Sequence, residues 1–272
     1  MRPIVALLTD FGSRDHYVGA LKGAVLAAAP EATVVDVVHD LPPHDVGAGA
    51  YALEAAYRAF PAGAAFVAVV DPGVGGDRRE LALAAGGYFF VGPDNGIFTL
   101  VLAAHPDARV HAITNAGLFR HEVSPTFHAR DVFGPVAARL ANGLPLEETG
   151  PRIPDPVVFD VKRPRRLEDG DWEGEVIHAD RFGNLSSSIT RADLDAMLAT
   201  VGGDPTELVV VVEGAVLPLV RTYAEVAEGE ACALVGSSRR LEVAVNRGSA
   251  ARVLGASLGA PVRVRRAESR VL

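Results

Sequence analysis

Apolar positions in the first half of the chain come in short solid runs rather than in alternation. Ile4–Leu8, Thr33–Val38 and Phe66–Val70 are dominated by Val, Ile, Leu, Ala and Phe, as strands covered on both faces are. Between them the spacing becomes helical, at Tyr17, Leu21, Val25 and Leu26 and then at Tyr51, Leu53, Ala56 and Phe60. Leu81–Ala84 and Tyr88–Val91 read as a hairpin or a pair of strands, with helices following over 97–104 and 132–140. This alternation predicts an α/β fold, a mostly parallel sheet covered by helices and joined by right-handed crossovers.

After a proline-rich, charged stretch at 151–172 the period changes. Short runs at Glu175–His178, Leu185–Ile189, Glu207–Val212, Ala231–Val235, Leu241–Val245 and Pro261–Val264 are separated by glycine turns. Helical spacing is confined to Arg191–Leu198 and Ala250–Leu254. Such a pattern predicts a small β-barrel or sandwich. The expected organisation is an N-terminal α/β domain over 1–160, a linker over 161–172 and a C-terminal β-barrel domain over 173–272.

Composition narrows the function classes. With 272 residues and 49% hydrophobic content the chain can bury two modest cores, and a net charge of -8 argues against a nucleic-acid partner. The single cysteine, Cys232, excludes an internal disulfide and reads as a small core residue in an apolar run. The first apolar run is too short for a secretory signal, and no apolar stretch is long enough to span a bilayer. A cytoplasmic protein without a membrane partner is the expectation. The basic tail Arg263–Arg270 reads as a solvated end.

Candidate chemistry gathers at strand ends. Three predicted strands run into glycine turns that carry Asp10, Asp71 and Asp94, in Thr9-Asp10-Phe11-Gly12, Asp71-Pro72-Gly73-Val74-Gly75 and Pro93-Asp94-Asn95-Gly96. In an open α/β sheet the crevice outside such ends is where ligands bind. His128 lies just ahead of the helix over 132–140, where its imidazole can face the same crevice. Capped strands and a packing histidine would give the same residues a purely structural meaning. A metal-dependent phosphoesterase with Asp10, Asp71, Asp94 and His128 as ligands is a further alternative, although the other seven histidines lack metal-ligand spacing. In the C-terminal half, Asp180–Asn184, Gly236–Glu242 and Asn246–Ala251 are richer in polar residues than a barrel needs. On the residues alone they are polar turns between strands.

Taken together and in order, six blocks resemble the S-adenosyl-L-methionine (SAM) hydroxide adenosyltransferases, SAM hydrolases that form adenosine and are related to fluorinases and chlorinases. The blocks are Thr9–Gly12 with Asp15, Val70–Gly75 with Arg78, Pro93–Gly96, Thr126–Asp131, Phe182–Asn184 and Asn246–Ala251. The resemblance implies hydrolysis of SAM without metal or cofactor, and a homotrimer with active sites between one subunit's first domain and its neighbour's second. It assigns water activation to Asp71, Arg78 and His128, and ribose binding to Asp10. It assigns methionine-side contacts to Asp15, Asn184, Ser237, Ser238 and Glu242, and adenine stacking to Tyr223. Phe127 is a further substrate-binding candidate, and Arg239 falls where the halogenases place an arginine near the methionine carboxylate. Ala129 in place of a hydroxyl-bearing halide residue, Asp71 in place of a tyrosine, and no long insertion between Glu80 and Tyr88 all point to water as nucleophile. A halogenase of the same superfamily and a SAM or adenosine sensor without turnover are the other readings.

Overall fold

The computed structural model describes residues 2–200 and 202–267; residues 268–270 of the basic tail lie outside the described residues. The chain divides into two compact units, 1–159 and 160–272.

The first unit contains β1 (Ile4–Thr9), α1 (Tyr17–Ala28), β2 (Thr33–Val38), α2 (Val46–Ala56), β3 (Ala65–Val69), β4 (Glu80–Ala85), β5 (Tyr88–Pro93), α3 (Thr99–Ala104), β6 (Arg109–Ala112) and α4 (Gly134–Ala141). Its sheet has the order β2-β1-β3-β5-β4-β6. The pairs β1/β2, β1/β3 and β3/β5 are parallel, whereas β4 runs antiparallel to both β5 and β6. Solid apolar runs arise because alternate residues of one strand serve two cores. Val5, Leu7, Val67 and Val69 pack with Leu21, Val25 and Val136 on one face, and Ala6, Leu8, Phe66 and Ala68 with Leu53, Tyr57 and Val101 on the other. Helix α2 begins five residues before the apolar spacing at Tyr51, capped by Asp45, whose side chain accepts from Ala48 N–H at 2.8 Å. Its first turn is too rich in small residues to show in hydrophobic spacing. The proline-rich stretch begins inside this unit: Pro151 O accepts from Ala112 N–H, and Ile153 N–H donates to Val110 O.

The second unit contains β7 (Arg165–Arg166), β8 (Trp172–Ala179), β9 (Leu185–Thr190), α5 (Arg191–Thr200), β10 (Leu208–Val212), β11 (Ala215–Pro218), β12 (Ala231–Val235), β13 (Arg240–Val245), α6 (Ala250–Leu254) and β14 (Pro261–Arg266). The strands follow the order β11-β10-β14-β8-β9-β13-β12, with β7 on β8, and every pair is antiparallel. A bond from Val220 N–H to Ala233 O at 2.8 Å draws the two ends of this path together into a nearly closed barrel. Ile189, Val210, Leu241, Val243 and Val262 fill its core under Leu194 and Met197 of α5. Cys232 is fully buried with Leu234 and Ala244 on the other face of β12 and β13, where burial and the Glu242 and Glu225 charges push its thiol above the ordinary range.

Among the described residues, no helix is long and apolar enough to cross a membrane.

Candidate active site

Neighbouring parallel strands β1, β3 and β5 end on Asp10, Asp71 and Asp94, so the sheet delivers three carboxylates along one edge. They have different fates. Asp71 is held by a fork: Arg78 Nε donates to Oδ1 at 3.0 Å and Nη2 to Oδ2 at 2.5 Å. Bidentate pairing of this kind fixes geometry as well as charge. The same guanidinium donates from Nη1 to Glu80 Oε1 at 2.8 Å, and its Nη2 lies 3.1 Å from Nδ1 of His128. Nδ1 is also 3.1 Å from Glu80 Oε1. Side chains of Asp71 and Arg78 are only 5% and 10% exposed, and that of Glu80 26%. Burial works against the Arg78 charge, but the bonds and charges of Asp71 and Glu80 outweigh it and push its pKa upward. Arg78 is therefore a fixed cation between two carboxylates and an imidazole.

Alternation of the extended chain explains why adjacent arginines serve different ends. Arg78 and Glu80 point into this cluster, whereas Arg79 donates to Asp94 Oδ2 at 2.7 Å and to Asp155 Oδ1 at 2.9 Å. Asp94 Oδ1 accepts from Val157 N–H at 2.7 Å. Asp94 is thus a structural clamp, and both oxygens of Asp71 are engaged by Arg78. The phosphoesterase alternative loses two of its four ligands in this way. Among the described residues, no group of three His, Cys, Asp or Glu side chains is placed to hold a metal ion.

His128 is presented by a braced loop. It precedes a π-helical turn, Ala129–Phe133, that leads into α4. Asp131, fully buried, accepts from Ser124 N–H at 3.0 Å, from Arg130 Nε and Nη2 at 2.7 Å, and from Arg120 Nη1 at 3.2 Å. Burial alone would raise the Asp131 carboxyl; the Arg130 and Ser124 bonds and the charges of Arg130 and Arg120 hold it below the ordinary range. Phe127 is 7% exposed and packs edge-on against Phe11 and Tyr17, with ring centroids 5.9 and 5.3 Å away. It joins the His128 loop to the Asp10 turn.

The Asp10 turn has its own supports. Thr9 Oγ1 and His39 Nδ1 are 2.8 Å apart, His39 Nε2 is 2.9 Å from Asp36, and Gly12 N–H donates to His39 O. Asp10 Oδ2 accepts from His44 N–H at 2.9 Å. Asp15 is exposed.

In the barrel unit the predicted residues form linked pairs. Asn184 Nδ2 donates to Asp180 Oδ2 at 3.0 Å, and the Tyr223 hydroxyl donates to Glu242 Oε1 at 2.6 Å. Glu242 is 9% exposed and no ion pair reaches it among the described residues. Burial and the Asp180 charge raise its pKa despite the Tyr223 bond; burial and Glu242 push Tyr223 well above the phenolic range. Ser238 Oγ is buried without a hydrogen-bond partner. Ser237 and Arg239 are exposed on the same β12–β13 turn, with Arg239 at φ +61°. The Asp180–Asn184 turn docks on the Asn246–Ala251 segment through Ala251 N–H to Gly183 O at 3.0 Å.

Comparison with known proteins accounts for both units. The SAM hydroxide adenosyltransferase N-terminal domain matches residues 5–150, and the C-terminal domain of the same family matches residues 174–263. The chain belongs to the SAM hydroxide adenosyltransferase family. It is 44% identical to the (R)-S-adenosyl-L-methionine hydrolase of Thermus thermophilus, over 97% of this chain and 100% of the relative. A fluorinase of Nocardia brasiliensis is more distant, 31% identical over 97% of each chain. A conserved protein from Thermotoga maritima has a solved structure that superposes with a TM-score of 0.88, at 34% identity over 96% of this chain and all of the other.

In this member of the family, three features that set the chain apart from halogenases are structurally plain. Ala129 is buried, Asp71 is paired with Arg78, and β4 and β5 are joined directly by a turn at Gly86 and Gly87, both at positive φ. Glu80 was not among the predicted site residues. In sequence it closes a charged run, Asp77-Arg78-Arg79-Glu80, of the kind that usually marks a solvated face; the available signal was its i, i+2 spacing from Arg78.

Proposed function

We propose that this protein hydrolyses S-adenosyl-L-methionine to adenosine and L-methionine by in-line attack of water on the ribose C5′. One observation carries the reading: Asp71, Arg78 and His128, drawn from a strand end, a glycine-rich loop and a helix approach, form one hydrogen-bonded cluster. The bond from the water oxygen to C5′ forms as the bond from C5′ to sulfur breaks. The sulfonium takes the bonding pair and leaves as the thioether of methionine, and the water proton passes to the cluster. Water is a weak nucleophile, so a fixed guanidinium beside it and a proton acceptor within reach are the groups this reaction needs. Attack of a hydroxide-like oxygen on a cation spreads both charges in the transition state, which a water-poor site favours.

Asp10, steadied by His44 N–H, is suited to accept the ribose hydroxyls and to hold C5′ in line; such positioning is worth ~7 kcal/mol or more. Glu242 and Ser238 support the amino-acid end of the reading. A buried carboxylate that no cation reaches among the described residues, and a buried hydroxyl that has no partner among them, are costly unless a ligand completes them, and the ammonium of a methionine moiety would do so. Tyr223, bonded to that carboxylate, offers its ring to the adenine, with Asn184, Ser237, Arg239, Asp15 and Phe127 as further contacts.

The same reading includes a homotrimer with sites shared between subunits, no metal or cofactor, and a cytoplasmic location. Incubation with SAM, with and without chelator and with chloride or fluoride present, tests it. Equal amounts of adenosine and methionine, insensitive to chelator, are expected; a 5′-halo-nucleoside without adenosine would assign the halogenase reaction instead.

A further inference from the structure

We infer that His39 is a positioning residue for Asp10: as the tautomer protonated on Nε2 it fastens Thr9 to Asp36, and so fixes the turn from which the Asp10 carboxylate reaches the ribose. This inference rests on the hydrolytic reading above, in which Asp10 takes the ribose hydroxyls. One short segment grips the Asp10 turn at three points. Nδ1 of His39 lies 2.8 Å from Oγ1 of Thr9, the residue before Asp10. His39 O accepts from Gly12 N–H at 2.8 Å, two residues after Asp10, and His44 N–H donates to Asp10 Oδ2 at 2.9 Å.

The directions of these bonds follow from the groups that make them. Asp36 Oδ1, 2.9 Å from His39 Nε2, can only accept while the carboxylate is ionised. Burial works against that charge, but the bonds and charges of Lys22 and His39 hold the Asp36 carboxyl below the ordinary range. Lys22 Nζ donates to Asp36 Oδ2 at 2.7 Å. The neutral ring therefore carries its proton on Nε2, and Nδ1 accepts from the Thr9 hydroxyl. Thr9 Oγ1 in turn accepts from Phe11 N–H at 3.3 Å. Thr9 is fully buried and the His39 side chain is 9% exposed, so these bonds are shielded from solvent. The opposite tautomer would set a bare nitrogen against the carboxylate and leave the buried hydroxyl proton unpaired.

The strand is shaped for this contact. In a regular extended chain residues three apart face opposite ways. Leu7 pairs with Asp36 but Leu8 with Val38, so β2 carries one extra residue. Such bulges are rare between parallel strands and re-aim side chains beside active sites; here the bulge lets Asp36 and His39 meet.

The test combines a spectrum, two positions and two substrates. Long-range proton–nitrogen NMR of the wild type, with the ring assigned through His39→Gln, should show the neutral imidazole protonated on Nε2. Thr9→Val removes the hydroxyl instead of orphaning it, and should lower kcat/KM for SAM roughly 10- to 100-fold, the scale of a displaced positioning group. Thr9→Ser, which keeps the hydroxyl, should recover most of that loss. Because the effect passes through the ribose hydroxyls, the Thr9→Val loss should shrink with the 2′-deoxyribose analogue of SAM; a residue that only stabilised the fold would cost both substrates equally. Thr9→Val and His39→Gln combined should lose no more than the larger single loss, as members of one connected unit do. A neutral ring protonated on Nδ1, equal losses for the two substrates, or single losses that add would overturn the proposal. Absence of adenosine from the wild-type reaction would instead sink the hydrolytic reading. Binding would then decide the role of His39: a preference for adenosine over 2′-deoxyadenosine that Thr9→Val abolishes would support it, and a preference that Thr9→Val retains, or none in the wild type, would overturn it.

Discussion

Gly75 and Pro125 approach so closely that a Cβ on residue 75 would lie 2.3 Å from the Pro125 carbonyl oxygen. Gly75 is also at φ +76°, a conformation that side chains resist. This contact seats the loop carrying Asp71 and Arg78 against the loop carrying His128, so the cluster depends on a residue with no functional atoms. Gly75→Ala should cost about 1–3 kcal/mol of stability and lower kcat by more than the stability loss explains. Denaturant unfolding alongside steady-state turnover at a temperature where the variant is folded checks both.

Arg78 serves three partners with one planar group, which a lysine cannot match. Arg78→Lys should keep the charge yet lose at least ~100-fold in kcat, the scale of a lost electrostatic or acid–base contribution. Arg78→Ala would leave the nearly buried Asp71 unpaired and should destabilise the fold by about 3 kcal/mol. Near-normal turnover in the lysine variant would show that charge alone suffices.

Asp131 makes the His128 loop sensitive to acid. Its carboxyl is held below the ordinary range, so its contribution is present above the unfolded-state pKa and is lost as pH falls through the lower native one. Asp131→Asn should melt lower than the parent at neutral pH, and the gap should close below about pH 4. Melting temperatures across pH for both proteins check the sign; a gap that widened in acid would contradict it.

Glu242 has the opposite sign. Its pKa is raised by burial and Asp180, so its carboxylate costs stability once pH exceeds the unfolded value and the cost is relieved by protonation. Glu242→Gln should therefore raise the melting temperature of the ligand-free protein at neutral pH while weakening SAM binding. Calorimetric binding and melting together separate this from a structural role, in which both would fall.

Much of the fold is legible in the chain because β1 and β3 serve two cores and so leave uninterrupted apolar runs, each stopped by a turn bearing an aspartate. Strands β6 and β11 escape for the opposite reason. Arg109-Val110-His111-Ala112 and Ala215-Val216-Leu217-Pro218 are four residues long and carry too little apolar bulk to stand out. Strand position alone does not separate Asp71 from Asp94; their roles are decided by which arginine faces each, and that follows from the alternation of Arg78 and Arg79. The contact between Arg78 and His128, fifty residues apart, has no periodic signature and reached the sequence reading only through family resemblance. Glu80 had no such resemblance and was missed.

The most direct measurement of the central claim is mass analysis of the products formed from SAM in water enriched in oxygen-18. The account expects adenosine carrying one heavy oxygen at its 5′ hydroxyl, with unlabelled methionine released in equal amount. Label in the amino-acid product, or methylthioadenosine in place of adenosine, would mean that bond cleavage occurs elsewhere and would contradict attack at C5′.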